Sequence, residues 1–130
     1  GIYASAAEAA AKVEGAKVIG VDVDQAGIID GAYGDGMTVT SAMKGLYPST
    51  YDALTEIVLN GKWADYAGKI DNLGIVSDTP EDNYVQIAPS TQFKDGALTA
   101  DDYKALVAKI NAGEMEELLR CCYYGTEVDF

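Results

Sequence analysis

The sequence predicts an α/β fold with a mainly parallel sheet flanked by helices. Three observations carry that expectation. Short β-branched runs alternate with stretches of helical periodicity. The run VIGVDVDQ, residues 18–25, is too short and too β-branched for a helix, and its carboxylates mark the carboxyl edge of a parallel sheet. Thr99 and Asp102 form a capping-box pattern just ahead of Tyr103, Leu106, Val107 and Ile110, an apolar stripe at helical spacing.

Taken in order, residues 2–14 predict a helix with Ile2, Ala6, Ala9, Ala10 and Val13 on one face and Gly15 as a left-handed stop. Residues 17–22 predict a buried strand. The stretch QAGIIDGAYGDG, residues 25–36, is rich in glycine and aspartate and reads as a loop. Residues 38–44 alternate like a second strand. Ser49 and Asp52 suggest a capped helix over residues 49–60, with Tyr51, Leu54, Ile57 and Val58 as its stripe and Asn60-Gly61 as its end. Further strands are expected over residues 69–75 and 83–88, the latter stopped by Pro89. A helix follows over residues 99–112, closed by Gly113. The tail after Glu114 suggests a short helix around Leu118 and then a terminal strand.

The chain has 130 residues and reads as one small domain or part of a larger one. No apolar stretch approaches the roughly 18 residues needed to cross a bilayer. No signal peptide or lipidation motif is visible. Nine basic residues oppose 21 acidic ones, a formal charge of −12. That field repels phosphate backbones, so nucleic acid is not an expected partner.

Several chemistries lack their residues. There is no histidine, and Cys121 and Cys122 are adjacent with no CxxC spacing, which argues against four-ligand zinc. Those cysteines read as ordinary thiols rather than a strained vicinal disulfide. Ser41 has no GxSxG elbow, and Ser41-x-x-Lys44 lacks the companion motifs of a serine–lysine hydrolase. Asp22, Asp24, Asp30 and Asp35 do not follow calcium-loop spacing and read as turn formers. Gly31, Gly34 and Gly36 make neither GxGxxG nor a Walker loop, so no cofactor is expected. Tyr33, Tyr47, Trp63 and Tyr66 read as packing residues rather than a stacking platform. What remains is the pair Asp22 and Lys44, each at the end of a predicted strand. A carboxylate and an ammonium together can hold a neutral polar ligand through acceptor and donor hydrogen bonds.

Four segments in order resemble the basic membrane protein family of substrate-binding lipoproteins, which includes purine nucleoside receptors of bacterial ABC importers. They are IYASAAEAAAK leading into VIGVDVDQ, then VTSAMKG, then NGKW with YAGKIDNLGI, and last LTADDYKALVAKINAGE. The resemblance runs from Gly1 to about Met115; the tail LLRCCYYGTEVDF departs from it. It implies a two-lobe, Venus-flytrap (type I periplasmic-binding-protein-like) fold, of which residues 1–130 would be the carboxyl-terminal portion. By position, Asp22 and Lys44 then become cleft residues facing the ribose of a nucleoside. The resemblance also implies a precursor anchored outside the cytoplasm as a lipoprotein, an ABC permease as partner, and ligand binding without catalysis. A lone lobe would expose its cleft surface and a sheet edge, so self-association is expected. Two other readings remain open: an α/β enzyme fragment using Asp22 and Asp24 with a divalent metal, and a ligand-sensing regulatory domain on the same fold.

Overall fold

The computed structural model describes residues 3–94 and 97–115. Five helices and a three-stranded sheet make up these residues: α1 (Tyr3–Ala10), β1 (Val18–Asp22), α2 (Ala26–Tyr33), β2 (Thr38–Lys44), α3 (Leu46–Ala53), α4 (Trp63–Tyr66), β3 (Val85–Ile87) and α5 (Ala100–Asn111). A wide π-helical turn, Leu54–Leu59, prolongs α3, and a single 3₁₀ turn, Pro80–Asp82, precedes β3.

The α/β class holds, with a mixed sheet in place of a mainly parallel one. Its order is β1-β2-β3; β1 and β2 run parallel, while β3 runs antiparallel to β2. The crossover through α2 returns the chain in the same direction. The longer excursion through α3 and α4 brings it back the other way.

The segment expected to be a loop, residues 25–36, contains α2. Gly27, Gly31 and Asp30 lower helix propensity, but burial outweighs it: Ile29 is fully buried. Asp24 Oδ1 accepts from the Ala26 N–H at 3.1 Å, and the Tyr33 hydroxyl donates to Ala4 O at 3.3 Å, tying α2 to α1. Asp30 then holds the exit, accepting from the N–H groups of Gly36 (3.0 Å) and Thr38 (2.8 Å). Burial works against its charge, but donors on Thr38 and Gly36 and the nearby Lys17 outweigh it and keep the carboxyl below its ordinary pKa.

Helix α1 is shorter than predicted and presents a different face. Ala7 is its buried residue, Ala6 and Ala9 are exposed, and Val13 lies beyond its end at 62% exposure. A run made mostly of alanine gives periodicity too little contrast to choose a face. Gly15 does take a positive φ, +75°. Helix α3 begins at Leu46 instead of Ser49, with Pro48 in its first turn, where a missing N–H does no harm. The Ser49–Asp52 box therefore does not form. Ser49 Oγ donates to Leu46 O, and Asp52 accepts from the Tyr84 hydroxyl at 2.5 Å. The end at Asn60-Gly61 is as expected, with Gly61 at φ +67°.

No strand forms over residues 69–75, where Ile70 is 93% exposed and no neighbouring strand offers a ladder. Residues 83–88 do form one, trimmed to β3. The Thr99–Asp102 capping box is present: the Thr99 hydroxyl accepts from the Asp102 N–H, and the Asp102 carboxylate accepts from the Thr99 N–H. Val107 is the buried anchor of α5, and Gly113 follows at φ +75°. Ile2, the tail around Leu118, and Cys121 and Cys122 lie outside the described residues. Among the described residues, no helix is long and apolar enough to cross a membrane.

Candidate functional site

Parallel pairing of β1 with β2 sets Asp22 against Met43, one residue before Lys44, so both charged residues end adjacent strands. Lys44 Nζ lies 2.8 Å from Asp22 Oδ1, and the two side chains are 68% and 56% exposed. The residues singled out in the sequence are thus brought together, on the edge where open α/β sheets place ligands.

Asp22 also carries the backbone anomaly of the site. It has φ +72°, and the Val23 N–H bonds to Val21 O at 2.9 Å across it. An i→i+2 bond about a residue of positive φ is the strained form of the γ-turn. Aspartate tolerates that region better than most residues, though less well than glycine. The turn folds the following residues back over the sheet. Gln25 Oε1 accepts from the Val21 N–H at 3.1 Å, and the Gln25 N–H reaches Ser41 Oγ, also at 3.1 Å. Gly20 makes this possible: a Cβ there would stand 2.4 Å from Ser41 Oγ and 3.0 Å from Gln25 Cβ. Ser41 is fully buried and accepts a backbone bond, a structural use of a side chain that sequence could offer only as a nucleophile.

Asp24 is committed elsewhere. Its oxygens accept from the Ser90 hydroxyl at 2.6 Å, the Ser90 N–H at 3.3 Å and the Ala26 N–H at 3.1 Å. The Ser90 hydroxyl is the main cause of its lowered pKa; burial opposes it, and the backbone donors assist. Beside it, the Thr40 and Thr91 hydroxyls pair at 2.7 Å. Among the described residues, no group of three or more His, Cys, Asp or Glu is placed to hold a metal ion.

Electrostatically the pair is closed on itself. An exposed ion pair contributes about 0–1 kcal/mol, so a ligand can part it at small cost. Each charge-assisted bond to a desolvated hydroxyl would return roughly 1.5–3 kcal/mol. The separated groups offer two carboxylate oxygens as acceptors and three ammonium protons as donors. That set suits a polyhydroxylated, uncharged molecule.

One concavity was not foreseen. A cleft of about 470 Å³ lies between β3 and α5, lined by Ile87, Ala88, Phe93 and Tyr103 among others. Tyr103 and Ile87 were legible only as members of a helix stripe and a strand, and no sequence signal ties them together. No family model, curated protein or solved structure matches the chain.

Proposed function

We propose that this chain is a solute-binding module, the carboxyl-terminal portion of a two-lobe, flytrap-like binding protein that delivers its ligand to an ABC permease. The proposed ligand is a purine nucleoside or a similar neutral polar solute, bound and released unchanged. The proposed setting is outside the cytoplasm, on a lipoprotein of the basic membrane protein type.

The observation that carries the reading is the Asp22–Lys44 pair, 2.8 Å apart at the carboxyl ends of adjacent parallel strands. The carboxylate can accept from two vicinal hydroxyls while the ammonium donates to a hydroxyl oxygen. The order of motifs from Gly1 to about Met115 supports the family. On this reading a second lobe closes over the pair and removes water, which is what makes the hydrogen bonds selective. With both charges open to solvent, the isolated chain is expected to bind nucleosides weakly or not at all, because each bond only replaces one to water.

The test is calorimetry on the protein carrying both lobes, against purine and pyrimidine nucleosides and their 2′-deoxy forms. Tight nucleoside binding that weakens on loss of the 2′-hydroxyl, with no product formed, is the expected result. Failure of every nucleoside beside tight binding of a sugar or a peptide would overturn the ligand assignment. Chemical turnover would overturn the binding-protein reading.

A further inference from the structure

The cleft between β3 and α5 is separate from the Asp22–Lys44 pair and has a character of its own. Its walls are mostly apolar, from Pro80, Ile87, Ala88, Phe93 and Ala100, with the ring of Tyr103 on the helix side. Along one side runs the outer edge of β3, the last strand of the sheet. The Gly45 N–H donates to Tyr84 O at 2.7 Å and the Ala88 N–H to Ser41 O at 3.0 Å, so the Tyr84 carbonyl and the Ala88 amide face β2, while the Tyr84 N–H donates to Gly74 O at 3.1 Å. Strand alternation then turns the backbone groups of Val85 and Ile87 outward. Among the described residues, the Ile87 N–H meets only the Tyr103 hydroxyl, at a long 3.4 Å.

We propose that this groove binds an extended, apolar and basic segment of a partner protein by adding it as a fourth strand beside β3. An edge that no strand of the described residues pairs offers backbone donors and acceptors, and a neighbouring apolar groove receives every second side chain of an added strand. Charge selects the occupant. Among the described lining residues Glu81 and Asp101 stand against one cation, Lys104, and the whole chain carries −12. Long basic side chains on an added strand stay within the field of that acidic rim, which favours arginine or lysine and repels carboxylates. A second copy of this chain would bring the same acidic rim and the same charge, so it is the poorer occupant. A compact apolar molecule could fill the volume but would leave the β3 edge unpaired.

The experiment titrates the isotope-labelled full chain with a capped pentapeptide alternating valine and arginine, read by amide chemical shifts and hydrogen exchange. Binding is expected to slow exchange at Val85 and Ile87. Methylating alternate peptide nitrogens leaves the side chains intact but removes two strand hydrogen bonds, and should weaken binding about tenfold. A valine–glutamate peptide should bind at least about tenfold more weakly still, by charge repulsion at the rim. Phe93→Ala should lower affinity several-fold, whereas Val13→Ala, at an exposed position just past α1 on the β1 side of the sheet, should not. Equal binding of the arginine and glutamate peptides, indifference to N-methylation, shifts confined to α3, or no binding at all would each overturn the proposal.

Discussion

Replacing Asp22 separates backbone strain from charge, and the sign of one difference decides whether the turn is as described. At φ +72° a residue with a Cβ meets a steric penalty of roughly 1–2 kcal/mol that glycine escapes. Glycine in turn loses about 0.5–1 kcal/mol through the greater freedom of its unfolded chain. At this position Asp22→Ala should therefore be less stable than Asp22→Gly by about 0.5–1 kcal/mol. At an ordinary negative φ the order reverses, with alanine the more stable by a similar amount. Both variants lose the exposed pair with Lys44, so its small contribution cancels between them. Asp22→Asn keeps a side chain suited to positive φ and should stay within about 0.5–1 kcal/mol of the parent. Urea unfolding is the assay: with a slope of roughly 1–3 kcal/mol per molar, the alanine and glycine midpoints should differ by a few tenths molar at constant slope. An alanine variant more stable than the glycine one would refute the γ-turn. If Asp22→Asn folds normally yet abolishes ligand binding by the proposed two-lobe protein, the carboxylate serves recognition rather than stability.

Three further outcomes are expected. Asn83 is fully buried, accepts from the Val76 and Ser77 N–H groups at 2.7 and 2.8 Å, and donates to Ser77 O and Thr79 O, each at 3.0 Å; Asn83→Ala should destabilise by about 2–4 kcal/mol in urea titration. Asp24 and Asp30 have pKa values below their ordinary 3.8. Their stabilisation is therefore complete above that value and is lost as pH falls through the depressed ones; the urea midpoint should drop below about pH 4, and Asp30→Asn should flatten that drop. The chain should self-associate in a concentration-dependent way: Ile19, Val21, Leu54, Val58 and Trp63 are each more than half exposed, and a strictly monomeric mass by light scattering across the accessible range would count against it.

Where the sequence was legible, the signal was local. The box at Thr99 and Asp102 forms because both partners lie within one turn and need nothing from the rest of the molecule. Residues 17–22 and 38–44 are β-branched enough to be strands on their own account, and the observed bounds, Val18–Asp22 and Thr38–Lys44, nearly coincide; the burial expected of the first does not hold, since only Gly20 is buried and Ile19 and Val21 are 67% and 54% exposed. Because parallel neighbours end on the same edge, Asp22 and Lys44 could be expected to meet there. What failed needed tertiary information. Ser49 and Asp52 have the spacing of a box, but Asp52 is drawn to Tyr84, 32 positions away, and the helix starts earlier. Residues 26–33 have a loop-like composition and fold as a helix because tertiary packing buries Ile29 completely. The positive φ of Asp22 left no mark in sequence, since aspartate gives no warning of it as glycine does. The β3–α5 cleft was invisible because its walls come from segments whose apposition depends on an antiparallel return.

On the proposed reading, the closed pair bears directly on which solutes are accepted. A lone Lys44 at a strand end would attract any anion, nucleotides included, and a lone Asp22 would attract cations. At 2.8 Å each cancels most of the other's field at a distance, so neither charge class gains from approaching. A neutral polyol loses nothing on approach and gains acceptor and donor bonds once it parts the pair. A phosphorylated ligand must instead bring its charge beside Asp22 and into the field of a chain at −12. Discrimination between a nucleoside and its phosphate then needs no steric barrier. It follows from keeping opposite charges on neighbouring strand ends, with the Gly20–Ser41–Gln25 packing and the turn at Asp22 holding the carboxylate where Lys44 can reach it.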